Sequence, residues 1–516
     1  MYLTQGVHRS VQINGSGTAT SFQGRKRNWC EFGDRVARLA GALRALGVGP
    51  GDRVSMLAHN SDRYVEHYYA LFWIGAVAVP VNTRWSMAEI LYSLDDSTPS
   101  VLLFDDSFTD QAAALRDEAA SLRHLIYAGE GISPDWAQDY ERLIAEAAPI
   151  EDLRHGGEAL AAIMYTGGTT GFPKGVMLSH AGLISSVQSM GAITRPGRHS
   201  ITLHAPPLFH MAAAAMMFST TFFGGSHSII PGFVPALVCE AIAADRITDI
   251  LLVPTMVKML LDHCDEHGGD LSSIRTLVYG AAPMPEPILR RAIAALPDAQ
   301  LFHGYGQTEL SPGATVLSPE YQRLDGDMSK LGSVGHALPG IDVKVAADDG
   351  SELARGEVGQ VWVRGPNIMM GYWNKPEVTA ATIIDHWVLT GDAGYMDADG
   401  FLFIVDRVKD MIISGGENVF SAEVENAVLK HPAVADCAVI AVPDDQWGER
   451  VHAIIVPRAG ESLTLDMLIA HCKTLIAGYK CPRSCEVREQ PLPLSAAGKV
   501  LKTELRAPYW TKQDAA

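Results

Sequence analysis

Thr166-Gly167-Gly168-Thr169-Thr170-Gly171-Phe172-Pro173-Lys174-Gly175 is the stretch around which the chain is organised. Leu160-Ala161-Ala162-Ile163-Met164-Tyr165 precedes it, an uncharged apolar run that reads as a buried strand. Val176-Met177-Leu178 follows, and Ser179 is placed to N-cap a helix beyond. The ten residues are expected to form a loop at a strand edge. They hold four glycines, three threonines and one lysine. Glycines let a backbone come close to a ligand and turn its N–H groups toward an anion. Hydroxyls add short donors and a lysine adds a point charge. Such a set suits a polyphosphate. It is not a Walker loop, because Pro173 precedes the lysine and Gly175 follows it, where that pattern needs Gly-Lys-Ser/Thr. Three threonines and a Pro-Lys-Gly end are also poor composition for a flexible linker.

The chain around this stretch has 516 residues, enough for roughly three compact units. Apolar residues make up 47% and charged residues 19%, which is globular composition. A formal net charge of -18 repels nucleic acid and anionic lipid, so an anionic ligand must be met by local donors. Seven scattered cysteines, with no CxxC pair, fit a reducing compartment better than a disulfide framework or zinc site. No apolar h-region opens the chain and no run of 18 apolar residues occurs, so a cytosolic protein without a membrane span is expected.

Strands alternate with helices along the first three hundred or so residues. Helices are expected over 35–46 and 64–73, and strands over 53–57, 75–81, 101–104, 250–254 and 277–283. His204-Ala205-Pro206-Pro207-Leu208-Phe209-His210 reads as a strand followed by a turn. That rhythm predicts parallel α/β sheets, which bind ligands at the carboxyl edge of their strands. One strand ends there in small residues, Gly280-Ala281-Ala282-Pro283, and another brings an aromatic, two glycines, a hydroxyl and a carboxylate to its end, Gly304-Tyr305-Gly306-Gln307-Thr308-Glu309. From about Gly332 short strands with turns predict a small antiparallel unit, a distorted barrel over about 332–405. It carries Asp392 behind Gly391, which reads as a ribose-diol acceptor or as a plain turn aspartate; the residues leave both open. The charged break Asp406-Arg407-Val408-Lys409-Asp410 divides an N-terminal domain, 1–406, from a smaller α+β domain, 407–516. In the latter, strands are expected over 411–413, 438–442 and 452–456, and helices over 422–429 and 465–475.

The phosphate-handling stretch resembles the signature loop of the adenylate-forming superfamily: acyl-CoA synthetases, peptide-synthetase adenylation domains and beetle luciferases. Further matches run from about residue 30 to about residue 505, with Asn82 and Arg84 in their usual places. The chain is most like a bacterial fatty-acid or carboxylic acid–CoA ligase. It departs from the usual form in having Gly168 where the family has serine, which removes one hydroxyl. The resemblance implies a large N-terminal domain of two sheet subdomains and a barrel, followed by a mobile C-terminal domain.

It also implies roles. Thr166 and Lys174 face the phosphates of ATP, within a loop formed with Gly167, Gly168, Thr169, Thr170 and Gly171. Glu309 holds Mg2+ and Thr308 contacts the α-phosphate. Gly280, Ala281, Ala282 and Tyr305 frame adenine, with Pro283, Gly304, Gly306 and Gln307 in the same nucleotide site. Asp392 and Arg407 bind ribose, and Lys409 is the interdomain hinge. Lys499, in Ser495-Ala496-Ala497-Gly498-Lys499, matches the catalytic lysine; on composition alone it reads as a solvated surface lysine. Thr166 and His210 join Lys499 and Glu309 as catalytic candidates. Gly415, Gly416 and Glu417 line a channel for the pantetheine arm of CoA. Trp447 resembles the tryptophan of CoA-forming members, and equally an anchoring turn residue. Tyr479-Lys480-Cys481-Pro482-Arg483 resembles a basic segment near the nucleotide of CoA.

The implied reaction joins a carboxylic acid to CoA through an acyl adenylate, with ATP, Mg2+ and CoA required and a homodimer allowed. The apolar run Met211 to Met217 beside His210 suits an apolar acyl group, read first as a medium- or long-chain fatty acid, with an aryl or arylpropenoic acid as the alternative. No nearby arginine would pair a second carboxylate. Three rivals are weaker. A stand-alone adenylation protein would need a carrier to load. A luciferase-type monooxygenase usually ends in Ser-Lys-Leu, whereas this sequence ends Gln-Asp-Ala-Ala. A nucleotide-binding regulator would not need both Glu309 and Lys499.

Overall fold

The computed structural model describes residues 1–168, 171–282, 284–323, 328–407, 410–414, 417–444, 446–494 and 500–510. It is a mixed α/β structure with two large, mainly parallel sheets and smaller units that follow.

One sheet has eight strands in the order Gly371–Tyr372, Gly171–Ser179, Leu160–Gly168, Val77–Pro80, Arg53–Leu57, Val101–Phe104, His124–Tyr127 and Gln138–Asp139. The second has nine: His336–Ala337, Gly313–Leu317, Gln300–Gly306, Thr276–Gly280, Asp249–Leu252, Ile201–His204, Ser226–Ile229, Thr18–Phe22 and Arg25–Asn28. The N-terminal hairpin 18–28 therefore leaves its sequence neighbours and pairs with residues 227–229. Residues 342–407 form a five-stranded antiparallel sheet. A further five-stranded sheet is built from residues 412–487, with helices Ser421–Leu429 and Leu465–Cys472 against it.

Three expectations change. The stretch 166–175 is no loop from strand to helix: its flanks form an antiparallel hairpin, with Thr166 opposite Lys174 and Gly168 opposite Gly171. The reason is that Val176-Met177-Leu178 finds an apolar partner strand in Ile163-Met164. The strand expected from His204 ends there instead, having begun at Ile201. The first long helix starts at Trp29 rather than Arg35, because Asn28 and Glu31 close a capping box, each side chain bonded to the other's backbone N–H at 2.9 and 2.8 Å. Ser179 does cap the helix His180–Thr194, accepting from the Gly182 N–H at 3.0 Å.

The main core gathers helices 29–45, 62–73, 180–194 and 211–223 with strands of both large sheets, through Phe32, Tyr68, Phe72, Ile184 and Phe218. Every residue of helix Asp62–Trp73 is buried, charged ones included. A buried charge persists only when paired. Asp62 accepts from Arg25 at 2.9 Å and also pairs with Arg27. Glu66 accepts from Arg35 at 2.7 Å and from the Tyr140 hydroxyl at 2.8 Å. Arg63 and Arg35 both reach Glu141, at 2.9 and 2.8 Å. Burial alone would raise the Glu141 carboxyl, but bonds and charge from Arg35 and Arg63 outweigh it and hold its pKa at about 2.

A carboxyl held below its unfolded value stabilises the fold above that value and loses its contribution as pH falls through the folded one. Between the ordinary 4.5 and about 2, Glu141 therefore contributes to acid lability. The thermal midpoint of Glu141→Gln should fall less steeply with pH across this window than that of the parent. Parallel curves would remove Glu141 from the account.

Candidate active site

The hairpin 160–179 places Lys174 on its second strand, and the short strand Gly371–Tyr372 is added to that edge, with Tyr372 opposite Val176. Trp373 donates its backbone N–H to Gly175 at 2.7 Å, and a Cβ on Gly175 would stand 2.7 Å from Ile163 Cγ2. Only glycine allows that approach. The Lys174 ammonium then sits 4.5 Å from the centre of the Tyr372 ring. The Tyr372 hydroxyl donates to Glu309 Oε1 at 2.8 Å, and the Met369 N–H donates to the Glu309 carbonyl at 2.8 Å. Lys174 and Glu309, far apart in sequence, thus both contact one tyrosine, the first at its ring and the second at its hydroxyl. Thr166 is half-buried on the same hairpin. Nothing in the local sequence pattern singles out Tyr372 as part of the site.

The parallel strands Thr276–Gly280 and Gln300–Gly306 set Gly280 beside Gly304. An added Cβ at Gly280 would overlap the Gly304 carbonyl oxygen, and one at Gly306 the Pro312 carbonyl oxygen. The two strand ends are close-packed backbone with a half-exposed run, 304–309, following buried Leu301-Phe302-His303. Ala281 is exposed with φ +66°, a conformation costing an L-residue about 1–2 kcal/mol; such strain gathers at functional edges. Tyr305 donates its hydroxyl to Asp392 Oδ2 at 2.7 Å. Asp392 is buried, its N–H donates to Thr390 Oγ1 at 3.1 Å, and its backbone pairs with Arg407. Gln307 and Thr308 are half-buried beside Glu309, with Thr308 opening the single turn Thr308–Leu310.

This packing predicts a large effect from one methyl group. Gly280→Ala must push adjacent backbones away from each other, costing about 1–3 kcal/mol. Its ATP affinity should fall about 10-fold by calorimetric titration, with a lowered thermal midpoint. Gly197→Ala, where an added Cβ meets nothing within 4 Å, is the control. An unaltered ATP affinity in Gly280→Ala would remove this strand edge from the nucleotide site.

Other candidates stand in separate groups. His210 precedes helix Met211–Phe223, its ring 4.5 Å from that of Phe209. Trp447 lies in a turn, with the Arg483 guanidinium 4.1 Å over its ring, so two regions singled out for CoA do converge. Lys480 pairs with Glu423 at 2.7 Å. Glu417 starts the strand Glu417–Val419. The backbones of Gly167, Gly168 and Gly171 lie in the hairpin strands. Ala282 is half-buried just past the Gly280 strand end. Thr169, Thr170, Pro283, Lys409, Gly415, Gly416 and Lys499 lie outside the described residues.

These residues fit a magnesium nucleotide. Mg2+ is ordinarily bound through one or two carboxylates plus substrate phosphates, and Glu309 offers a carboxylate with Oε1 already bonded. Among the described residues no three His, Cys, Asp or Glu side chains gather as a metal cage. No helix of the described residues is long and apolar enough to cross a membrane.

The AMP-binding enzyme family matches residues 7–373, and the AMP-binding enzyme C-terminal domain matches residues 423–499. The chain is 39% identical to a feruloyl-CoA synthase of Amycolatopsis sp, covering 96% of this chain and 97% of that protein. It is 35% identical to a long-chain-fatty-acid–CoA ligase of Mycobacterium tuberculosis, covering 92% and 91%. The solved structure of o-succinylbenzoate coenzyme A synthetase from Bacillus subtilis, in complex with ATP and magnesium ion, superposes with a TM-score of 0.84 at 32% identity, covering 97% and 98%. By sequence and by fold, this chain belongs to the family of AMP-binding, adenylate-forming enzymes.

Proposed function

We propose that the acid activated by this chain is an apolar monocarboxylic acid, with an aryl or arylpropenoic acid ahead of a fatty acid. The chain is an acid–thiol ligase of the AMP-forming type, with ATP and CoA as co-substrates and Mg2+ as its metal. What supports the site assignment most is the meeting of Lys174 and Glu309 on Tyr372, together with the Tyr305–Asp392 bond.

In the first half-reaction a carboxylate oxygen of the acid attacks the α-phosphorus and pyrophosphate leaves. In the second a thiolate attacks the acyl carbonyl and AMP leaves. Thr166 and Lys174 bind the β- and γ-phosphates, and Thr308 orients the α-phosphate. Gly280, Ala281, Ala282 and Tyr305 hold adenine, while Asp392 accepts from the ribose hydroxyls, with Arg407 beside it. Glu309 holds Mg2+, which neutralises phosphate charge when bound. Lys499 stabilises charge on the α-phosphate during attack. Trp447 and Arg483 belong to the CoA face. The boundary lies at 406/407, with Lys409 as hinge.

Burial supports this order of acid classes. Of the apolar run that suits a fatty chain, Met211, Ala213, Ala214 and Met217 are buried in the protein's own core, and Ala212, Ala215 and Met216 are half-buried. Only part of that run therefore remains to line a long slot. The 39% identity to a feruloyl-CoA synthase supports the same order.

Pyrophosphate release, followed by thioester detection, should be measured on cinnamic, 4-coumaric and ferulic acids against saturated acids of eight to sixteen carbons. The aryl acids should show the higher kcat/KM. A reversed order returns the fatty acids to first place, and no thioester with any acid overturns the ligase assignment.

A further inference from the structure

The structure assigns to Tyr372 the task of keeping Lys174 and Glu309 apart, so that both charges remain for the nucleotide and its metal. The inference rests on the reading of Lys174 and Glu309 given above. A lysine and a glutamate converging on one site would normally neutralise each other as an ion pair, and neither would then be available to an incoming polyphosphate and its cation. Among the described residues the two form no ion pair with one another; each instead contacts Tyr372. Its hydroxyl satisfies Glu309 Oε1 at 2.8 Å, and its ring face receives the Lys174 ammonium at 4.5 Å. An aromatic face attracts a cation within about 6 Å without supplying a counter-charge. A carboxylate has about four lone-pair sites, so one phenolic bond fixes its plane and leaves the rest for a metal. One side chain thus satisfies both ions with groups weaker than either ion's own partner.

Tyr372 is itself held rigidly. It is 5% exposed. Its N–H donates to Thr379 Oγ1 at 2.8 Å, and the backbone on either side is bonded to Met177 and Gly175 at 2.9 and 2.7 Å. Trp373 anchors the far end by donating to the Asp96 carbonyl at 2.9 Å. Tyr372 is therefore a positioning residue, acting through Glu309 and Lys174.

The test is ATP binding by calorimetry, with and without Mg2+, on the full chain and its variants. Tyr372→Phe keeps the ring beneath Lys174 and removes only the donor. It should raise the Mg2+ needed for half-maximal ATP binding by about 10-fold, the effect typical of removing a ligand's supporting bond, and leave metal-free ATP affinity unchanged. Tyr372→Leu removes the ring as well, so Lys174 and Glu309 can pair; metal-free ATP affinity should now fall too, by about 3- to 10-fold. In a Glu309→Gln background, Tyr372→Phe should add little. Thermal midpoints check folding in each case, and a purely structural role would move those midpoints without separating Phe from Leu in the metal dependence. An unchanged Mg2+ requirement in Tyr372→Phe, or identical behaviour of the Phe and Leu variants, overturns the inference. If instead the parent protein binds no magnesium ATP at all, it is the functional reading that fails.

Discussion

Lys499→Ala is expected to lower acyl-adenylate formation by about 100-fold or more, the magnitude of losing one electrostatic stabiliser of a transition state. Thioester formation from a supplied acyl adenylate should stay largely intact, because the charge that Lys499 is proposed to offset develops in the first half-reaction only. The expectation rests on sequence position, and the neighbouring lysine supplies the contrast. Lys502 is ion-paired with Glu425 at 2.7 Å and also bonds to Ser421. Lys502→Ala strands the half-buried Glu425 carboxylate, so it should lower stability without separating the half-reactions.

Lys409→Pro should do the reverse of Lys499→Ala, sparing much of adenylation and abolishing thioester formation. Proline fixes φ near -65° and stiffens the hinge at the proposed boundary. The structure shows what a rotation there would have to release: Ser421 donates its N–H to Asp406 Oδ2 at 2.5 Å, and Lys430 pairs with Glu286 at 3.4 Å. Single-turnover kinetics with synthetic acyl adenylate decide the matter. Equal loss of both half-reactions in both variants, with folding intact, would mean that one fixed arrangement serves both.

The second large effect is expected from Glu309→Gln. The amide keeps the shape of the side chain and still accepts from Tyr372, but it offers no charge to a hard cation. The Mg2+ required for turnover should rise by at least about 10-fold, and both half-reactions should weaken with it. Metal titration of the purified variant reads this directly, and an unmoved midpoint would take the metal away from Glu309.

Much of this is legible in the sequence because it is local. The strands Arg53–Leu57 and Val101–Phe104 can be read with their observed limits, since each is a short apolar run bounded by turn or polar residues. Ser179 is legible as a cap because capping involves residues three apart. The glycines at 280, 304 and 306 stand out by residue type, and the close backbone neighbours of 280 and 306 explain that choice.

What the tertiary structure alone decided concerns partners distant in sequence. Hydrophobic period reports that a segment is a strand but not which strand it bonds to, so the pairing of residues 20–22 with 227–229, and of 371–372 with 176–177, left no local trace. The same holds for charge. Asp62, Arg63 and Glu66 look like the solvated face of an amphipathic helix, and only packing shows that Arg25, Arg27, Arg35 and Glu141 surround them. It holds for Met211 to Met217, whose apolar surface could face a ligand or a core with the same sequence. And it holds for Tyr372, an ordinary strand tyrosine until the sheet edge brings it against both Lys174 and Glu309. Residue type sets what a side chain can bond; long-range backbone pairing sets what it meets.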